Sequence, residues 1–362
     1  MTPWPDQRLT SLFGIEHPIL QAPLAEVGGP RLAAAVSQAG GLGALACATL
    51  SLSKAEADIA AYRAATDRPL NLNFFCHPNT PVGADLLAAW RAQLAPYYRE
   101  LAAAEPRDTP SVTWTSFNDE HLGLILAARP EVVSFHLGLP DGRLLSRVKA
   151  TGAKVICSAT TAAEARWLED HGCDAVIAMG FEAGGHRGSF LCNDEDTIIA
   201  GSQVGGLALI PQVVDAVSLP VIAAGGIADG RGVVAALALG AAAVQVGTAY
   251  LLSPEADVPP YHRAALARAR EDSTILTNVF TGRAARGVVN RLVREEGPLS
   301  PVAPPFPHAH TALEPLKAAA PAEFSHVWAG QAAALVRPAP AGEFTRALAA
   351  DALSRLERWP RP

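Results

Sequence analysis

A histidine set among glycines is the first residue in this chain that could do chemistry. It lies in Ile177-Ala-Met-Gly-Phe-Glu-Ala-Gly-Gly-His-Arg-Gly188, after a short uncharged run. His186 could act as an acid or a base, because an imidazole titrates near neutrality; it could equally be a structural hydrogen-bonding residue. Two further segments share the pattern of an apolar run ending in glycine: Pro220-Val-Ile-Ala-Ala-Gly-Gly-Ile227 and Ala243-Val-Gln-Val-Gly-Thr248. Glycine lets backbone amides approach an anion closely. Gly225 and Gly226, then Gly247 and Thr248, read as a phosphate cradle made of amides, a helix start and one hydroxyl. Tight turns alone would also explain one glycine pair, but two glycine-ended runs one helix apart favour the cradle. The phosphate could belong to a flavin mononucleotide, a sugar phosphate or a nucleotide.

His136, in Val133-Ser-Phe-His-Leu-Gly138, ends another apolar run and is read either as a substrate contact or as a structural donor. His17, His171, His262, His308, His310 and His326 carry weaker signals, and His308-x-His310 alone is a poor metal motif. No metal site is expected. The sequence contains no Walker loop, no Gly-x-Ser-x-Gly elbow and no Gly-x-Gly-x-x-Gly.

These segments need a scaffold that brings strand ends to one rim. Eight apolar runs are candidate strands: Ile19–Gln21, Leu42–Ala46, Leu70–Phe75, Val132–Leu137, Lys154–Ser158, Ala175–Met179, Pro220–Ala224 and Ala243–Gly247. Alanine-rich helical stretches separate them, at Arg31–Ala39, Lys54–Ala65, Ala162–His171 and Gly230–Leu239. Regular alternation predicts a parallel sheet, and eight units predict closure into a (β/α)8 TIM barrel with the active site at the strands' C-terminal ends. Cys76 to Pro130 is too long for one connection and predicts an inserted helical segment, Ala84–Ala104 and Asn118–Ala128, split by the Pro106–Pro110 break. Gly188 to Leu209, with Asp194, Glu195 and Asp196, reads as an active-site loop. Arginine and proline rise after Ser253, which divides the chain into a barrel (1–252) and a mostly helical appendage packed on it (253–362), with helices at Pro259–Arg270 and Glu343–Leu356.

Composition narrows the function classes. The 362 residues are 49% hydrophobic and carry a formal net charge of −6, enough for one large core and with no basic stripe for nucleic acid. Five scattered cysteines without a CxxC pair, and an N-terminus without a signal pattern, predict a reduced cytoplasmic protein. Gly232 to Leu252 is uncharged but interrupted by Gly240, Gln245 and Gly247, so it reads as a buried helix and strand and no membrane association is expected. Nothing in the sequence marks an oligomeric state.

Taken together, the segments resemble the nitronate monooxygenases, formerly called 2-nitropropane dioxygenases. The resemblance runs through His17-Pro-Ile-Leu-Gln-Ala-Pro-Leu24, Ala34-Ala-Val-Ser-Gln-Ala-Gly-Gly-Leu-Gly43, Asn71-Leu-Asn-Phe-Phe75, Ser134-Phe-His-Leu-Gly138, the histidine segment and both cradle segments. It extends to Thr277-Asn-Val-Phe-Thr-Gly-Arg-Ala-Ala-Arg-Gly287 and Trp328-Ala-Gly-Gln331. It implies FMN across the barrel mouth, with the phosphate on Gly225, Gly226, Gly247 and Thr248, and Gln245 and Val246 nearby. It also implies Ala22, Pro23 and Leu24 beside the isoalloxazine ring, Asn73 bonded to it, Gly184 and Gly185 close to it, and His186 at its reactive face. The implied reaction oxidises an alkyl nitronate by O2 to a carbonyl compound and nitrite. A protonated His186 or Arg187 would hold the nitronate, and His186 would be the base toward a neutral nitroalkane.

Two positions depart from the family pattern: Met179 stands where glutamine is usual, and Pro307-His-Ala-His-Thr where a glutamine-asparagine pair is usual. A thioether does not replace an amide's donor. Related barrels act as NAD(P)H-dependent flavin reductases with quinone or enoyl-thioester acceptors. That reading stands as the alternative, with a non-redox phosphate-binding barrel and a non-catalytic flavin-binding protein behind it.

Overall fold

The computed structural model describes residues 4–78, 81–106, 114–192 and 203–358. Asp194, Glu195 and Asp196, and most of the Pro106–Pro110 break, lie outside the described residues.

Eight parallel strands form one sheet: β1 (Ile19–Gln21), β2 (Gly43–Ala46), β3 (Leu70–Phe75), β4 (Val132–His136), β5 (Lys154–Ala159), β6 (Ala175–Met179), β8 (Val221–Ala224) and β9 (Ala243–Val246). Between β6 and β8 comes a two-residue strand, β7 (Gly185–His186), which belongs elsewhere. The sheet runs from β2 round to β9 and on to β1. A parallel bridge between Leu20 and Leu42 joins β1 to β2 and closes the barrel. The eight apolar runs read from the sequence are these eight strands, to within a residue or two at their ends. They are buried on both faces, which is why they carry almost no charge.

Alternation along each strand sorts core from site. Leu20, Val132, Ile156, Ala175, Ile177 and Ile222 belong to the inner cluster, which the N-terminal helix Arg8–Phe13 extends with Leu9 and Phe13. Intervening residues such as Leu72, Val133, Val155, Val176, Val244 and Val246 pack outward against the helices. Continuing the inner parity toward the strands' C-terminal ends gives Asn73, Ser134, His136, Ser158, Met179, Gln245 and Gly247, all on the wall of one cavity. The period of two therefore carries each strand from an apolar floor to a chemically active rim.

Local capping starts the helices. Asn118, Asp141, Thr161 and Asp229 each accept backbone N–H bonds at the starts of Asp119–Ala128, Gly142–Ala150, Ala162–Asp170 and Gly230–Ala238. The region after Ser253 contributes to the barrel in two ways. Its last helix, Ala341–Arg358, packs against Gly230–Ala238 and Pro30–Gln38, and so fills the gap in the helical ring between the helices that follow β8 and β1. Leu348, Ala349 and Ala352 are buried there, and Tyr250 bonds Thr345 at 2.9 Å. The same region also supplies β10 (Thr274–Thr277) and β11 (Ala285–Val288), which form an antiparallel sheet with β7, Ala285 opposite His186.

Candidate active site

The cavity at the C-terminal rim of the barrel, about 200 Å³, draws its wall from both parts of the chain. Ala22, Pro23, Leu24, Asn73, His136, Met179, Gly184, Gly185, His186, Gly225, Gly226, Gln245, Gly247 and Thr248 all line it. Val246, implied beside the phosphate, and Arg187, implied as a nitronate holder, do not. Val246 packs outward among the helix-facing residues.

The glycine segments form a rim of free donors. The N–H groups of Gly225, Gly226, Gly247 and Thr248 make no hydrogen bond to any described residue. Gly225 has φ +107°, and a Cβ there would sit 2.9 Å from the Ala183 nitrogen. The Thr248 hydroxyl accepts from Gly330 N at 2.9 Å and keeps its own proton to donate. The helix start contributes less than expected: Asp229 and Asp351 already bond the first amides of Gly230–Ala238. The cradle therefore rests on strand-end amides. Gln245 Oε1 is buried and has no hydrogen-bond partner. Asn73 spends its Nδ2 on Ser134, at 3.2 Å to the carbonyl and 3.0 Å to the hydroxyl. Met179 is buried, and its carbonyl accepts from Arg187 at 3.2 Å.

Pairing with β11 holds His186 in place, so it sits on a strand rather than on a free loop. Its Nε2 lies 3.0 Å from Thr281 Oγ1, whose hydroxyl contacts the Arg283 carbonyl at 3.4 Å. A carbonyl only accepts, so the threonine proton goes there and Nε2 carries the imidazole proton. Nδ1 then keeps its lone pair. Phe75, Phe306 and Trp328 surround the ring at centroid distances of 6.1, 5.2 and 5.5 Å. Burial drives the His186 pKa well below the ordinary value, helped by His136 and Arg283. Burial thus favours the neutral imidazole over the expected protonated anion holder. Arg187 does not take that role either. Its guanidinium is buried and donates to the carbonyls of Gly180 at 2.7 Å and Met179, at the end of β6.

His136 is bonded at both nitrogens, to Ser158 Oγ at 2.6 Å and to the His186 carbonyl at 3.1 Å. It braces the backbone of the segment that carries His186. Burial, with Arg283 nearby, pushes its pKa down to about 4. His262, bonded to the Trp328 carbonyl at 3.2 Å, is likewise pushed down to about 4 by burial. Both prefer the neutral form when folded and titrate near 6.5 when unfolded. Their contribution to stability is complete above pH 6.5 and is lost as pH falls toward 4, because the unfolded chain binds the protons first. Urea unfolding at pH 7, 6 and 5 should give a falling free energy, and His262→Gln should flatten the slope; a flat profile in the parent chain would contradict this.

Sequence reading missed several wall residues. Glu26, Phe75, Trp114, Glu182, His326, Trp328 and Gly330 all line the cavity. Glu182 accepts from Gly206 N at 2.8 and 2.9 Å and so caps the helix Gly206–Val214. Gly184 and Gly330 approach so closely that a Cβ on Gly184 would lie 2.6 Å from Gly330 N. The pairing of glycine in Glu182-Ala-Gly-Gly with glycine in Trp328-Ala-Gly was the available signal, but only contact in space links the two.

Comparison with known proteins agrees with this geometry. The family model described as nitronate monooxygenase matches residues 6–351. The chain belongs to the nitronate monooxygenase family. It is 43% identical to a nitronate monooxygenase of Pseudomonas aeruginosa, over 94% of this chain and 97% of the relative. It is 40% identical to one from Paraburkholderia phytofirmans, over 97% and 96%. Among solved structures, a nitroalkane oxidase from Streptomyces ansochromogenes superposes with a TM-score of 0.89 at 38% identity, covering 98% of this chain and 100% of that one. FabK from Thermotoga maritima superposes with a TM-score of 0.72 at 29% identity, covering 97% of each chain. As a member of the nitronate monooxygenase family the protein is an oxidoreductase on a (β/α)8 barrel. No described helix is long and apolar enough to cross a membrane, and no cluster of three or more possible metal ligands occurs among the described residues.

Proposed function

We propose that this chain binds FMN in the barrel mouth and oxidises alkyl nitronates with O2 to a carbonyl compound and nitrite. One observation carries the reading: four unpaired strand-end amides and an unpaired buried acceptor, Gln245 Oε1, share a cavity with a neutral histidine. The residues present fit the cofactor. The amides of Gly225, Gly226, Gly247 and Thr248, with the Thr248 hydroxyl, would hold its phosphate. Ala22, Pro23, Leu24, Asn73, Met179, Gly184, Gly185 and Gln245 would border the ring, and Val246 would contribute backbone only. When bound, the flavin supplies the redox chemistry and the reaction with oxygen.

The chain's own groups do the rest. His186 Nδ1 carries the free lone pair and is the base that removes the α-proton of a neutral nitroalkane, leaving a nitronate in place. Thr281 fixes the tautomer, and His136 fixes the backbone. The apolar rings around His186 keep water away and the imidazole uncharged. A nitronate supplied as the anion bypasses the base. The balance is two nitronates and one O2 to two carbonyl compounds and two nitrites: each carbon gains one oxygen atom as its carbon–nitrogen bond breaks, and each nitrogen leaves as nitrite.

Purified protein should be yellow, release FMN on denaturation, and form nitrite and carbonyl product from ethyl nitronate under air. A colourless protein that takes up no FMN would overturn the cofactor reading. Flavin bleached by NADH under anaerobiosis, with no nitrite from any nitronate, would replace the reaction with a reductase.

A further inference from the structure

We propose that Glu26 makes this mouth selective for nitro compounds with an uncharged carbon chain and against those that carry a carboxylate. The inference rests on the function proposed above and names the substrate class of that same site.

Glu26 is held on the cavity wall by its backbone. Gly28 N bonds the Leu24 carbonyl at 2.7 Å, closing a tight turn directly after the Ala22-Pro23-Leu24 segment. Glu26 occupies that turn at φ +66°, in the left-handed region that a residue with a Cβ disfavours. Such conformations persist only where surrounding contacts hold them, and they concentrate at ligand sites. The half-exposed Glu26 carboxylate has one ionic contact among the described residues, its Oε2 lying 3.4 Å from His326 Nε2. His326 stacks on Trp328 at 4.8 Å, and Trp328 packs on His186 at 5.5 Å. The carboxylate is thus joined by two rings to the proposed base, and its charge reaches His186, where it opposes the effect of burial.

The rest of the described wall offers an incoming carboxylate no lysine or arginine to pair with. Phe75, Trp114 and Trp328 present aromatic surface. The other described charged wall residue, Glu182, is also an acid. No lysine or arginine lines the cavity among the described residues. Arg187 is directed to the β6 carbonyls, and Arg283 donates to the carbonyls of Arg187 and Ser189. An uncharged propyl chain would bury apolar surface against these rings, whereas a propionate would bring a second negative charge toward Glu26.

Two chain-matched pairs test this on the holoenzyme at pH 8, above the ordinary histidine range, and at low salt. The first is kcat/KM for propyl-1-nitronate against propionate 3-nitronate, read as nitrite. The second is Kd for 1-nitropropane against 3-nitropropionate by calorimetry, which needs no turnover. The member of each pair that lacks the carboxylate should be favoured by about tenfold or more, and half-molar salt should shrink the ratio toward unity. Glu26→Gln should raise kcat/KM for the carboxylated nitronate relative to that for propyl-1-nitronate, so that the ratio between the two moves toward unity. Equal or tighter binding of 3-nitropropionate by the parent protein would overturn the proposal, as would a Glu26→Gln variant that lowers both substrates alike. Absence of nitrite from both nitronates would overturn the reaction proposed above, while the calorimetric pair would still decide this selectivity.

Discussion

Replacing His186 with asparagine should lower nitrite release from nitroethane by roughly 10²–10⁴-fold, the usual contribution of a positioned base. Turnover of pre-formed ethyl nitronate should fall far less. The asymmetry follows from the side chain's surroundings. Thr281 Oγ1 accepts from Nε2–H, burial favours the neutral ring, and Nδ1 is left as the acceptor. A nitronate has already lost its α-proton, so the base has nothing to remove. The β7–β11 pairing runs through backbone atoms, so asparagine leaves it in place and separates loss of the base from loss of the fold. Flavin content measured by absorbance sets the active fraction. If the variant keeps its flavin and matches the parent on both substrates, His186 has no part in the chemistry.

The second large effect is on cofactor binding. Gly225→Ala should weaken FMN binding by about 3 kcal/mol, roughly a hundredfold in Kd, and yield a nearly colourless protein with an unchanged far-UV spectrum. Two causes add. At φ +107° an alanine is strained wherever it points, and its Cβ would meet the Ala183 nitrogen at 2.9 Å. Relief of either shifts the strand-end amides that would face the phosphate. Gly123→Ala is the control. It lies in the helix Asp119–Ala128, where a Cβ meets nothing within 4 Å, so alanine should be neutral or slightly stabilising. Parent-like FMN affinity in Gly225→Ala would remove the β8 terminus from the cradle.

The two variants test features of different legibility. Gly225, Gly226, Gly247 and Thr248 stand out in one dimension, because a buried parallel strand is a short uncharged run and a strand end that must leave its amides bare is a glycine. The same reasoning located His186 and the eight strands. Its surroundings were not visible. Thr281, Phe306, Trp328 and Gly330 reach the mouth from the region after Ser253, which composition separated from the barrel. Nothing local in Ala285-Arg-Gly-Val288 shows that it pairs with Gly185–His186, since a two-residue strand has no periodicity of its own. The helix Gly206–Val214 was hidden because its start, Gly205-Gly206, lies in a stretch read as a loop, and its cap, Glu182, is 24 residues away.

The sequence by itself determined what short-range patterning encodes: an eight-unit parallel barrel, the glycine-ended strands at its mouth, and a histidine beside them. Tertiary structure decided the protonation and partners of that histidine, sent Arg187 into the end of β6, made His136 a brace, and brought Glu26 against His326. The physical reason is range. Strand alternation and glycine conformation act between neighbours in the chain, whereas burial, charge and hydrogen-bond satisfaction depend on residues the fold brings together from opposite ends of it.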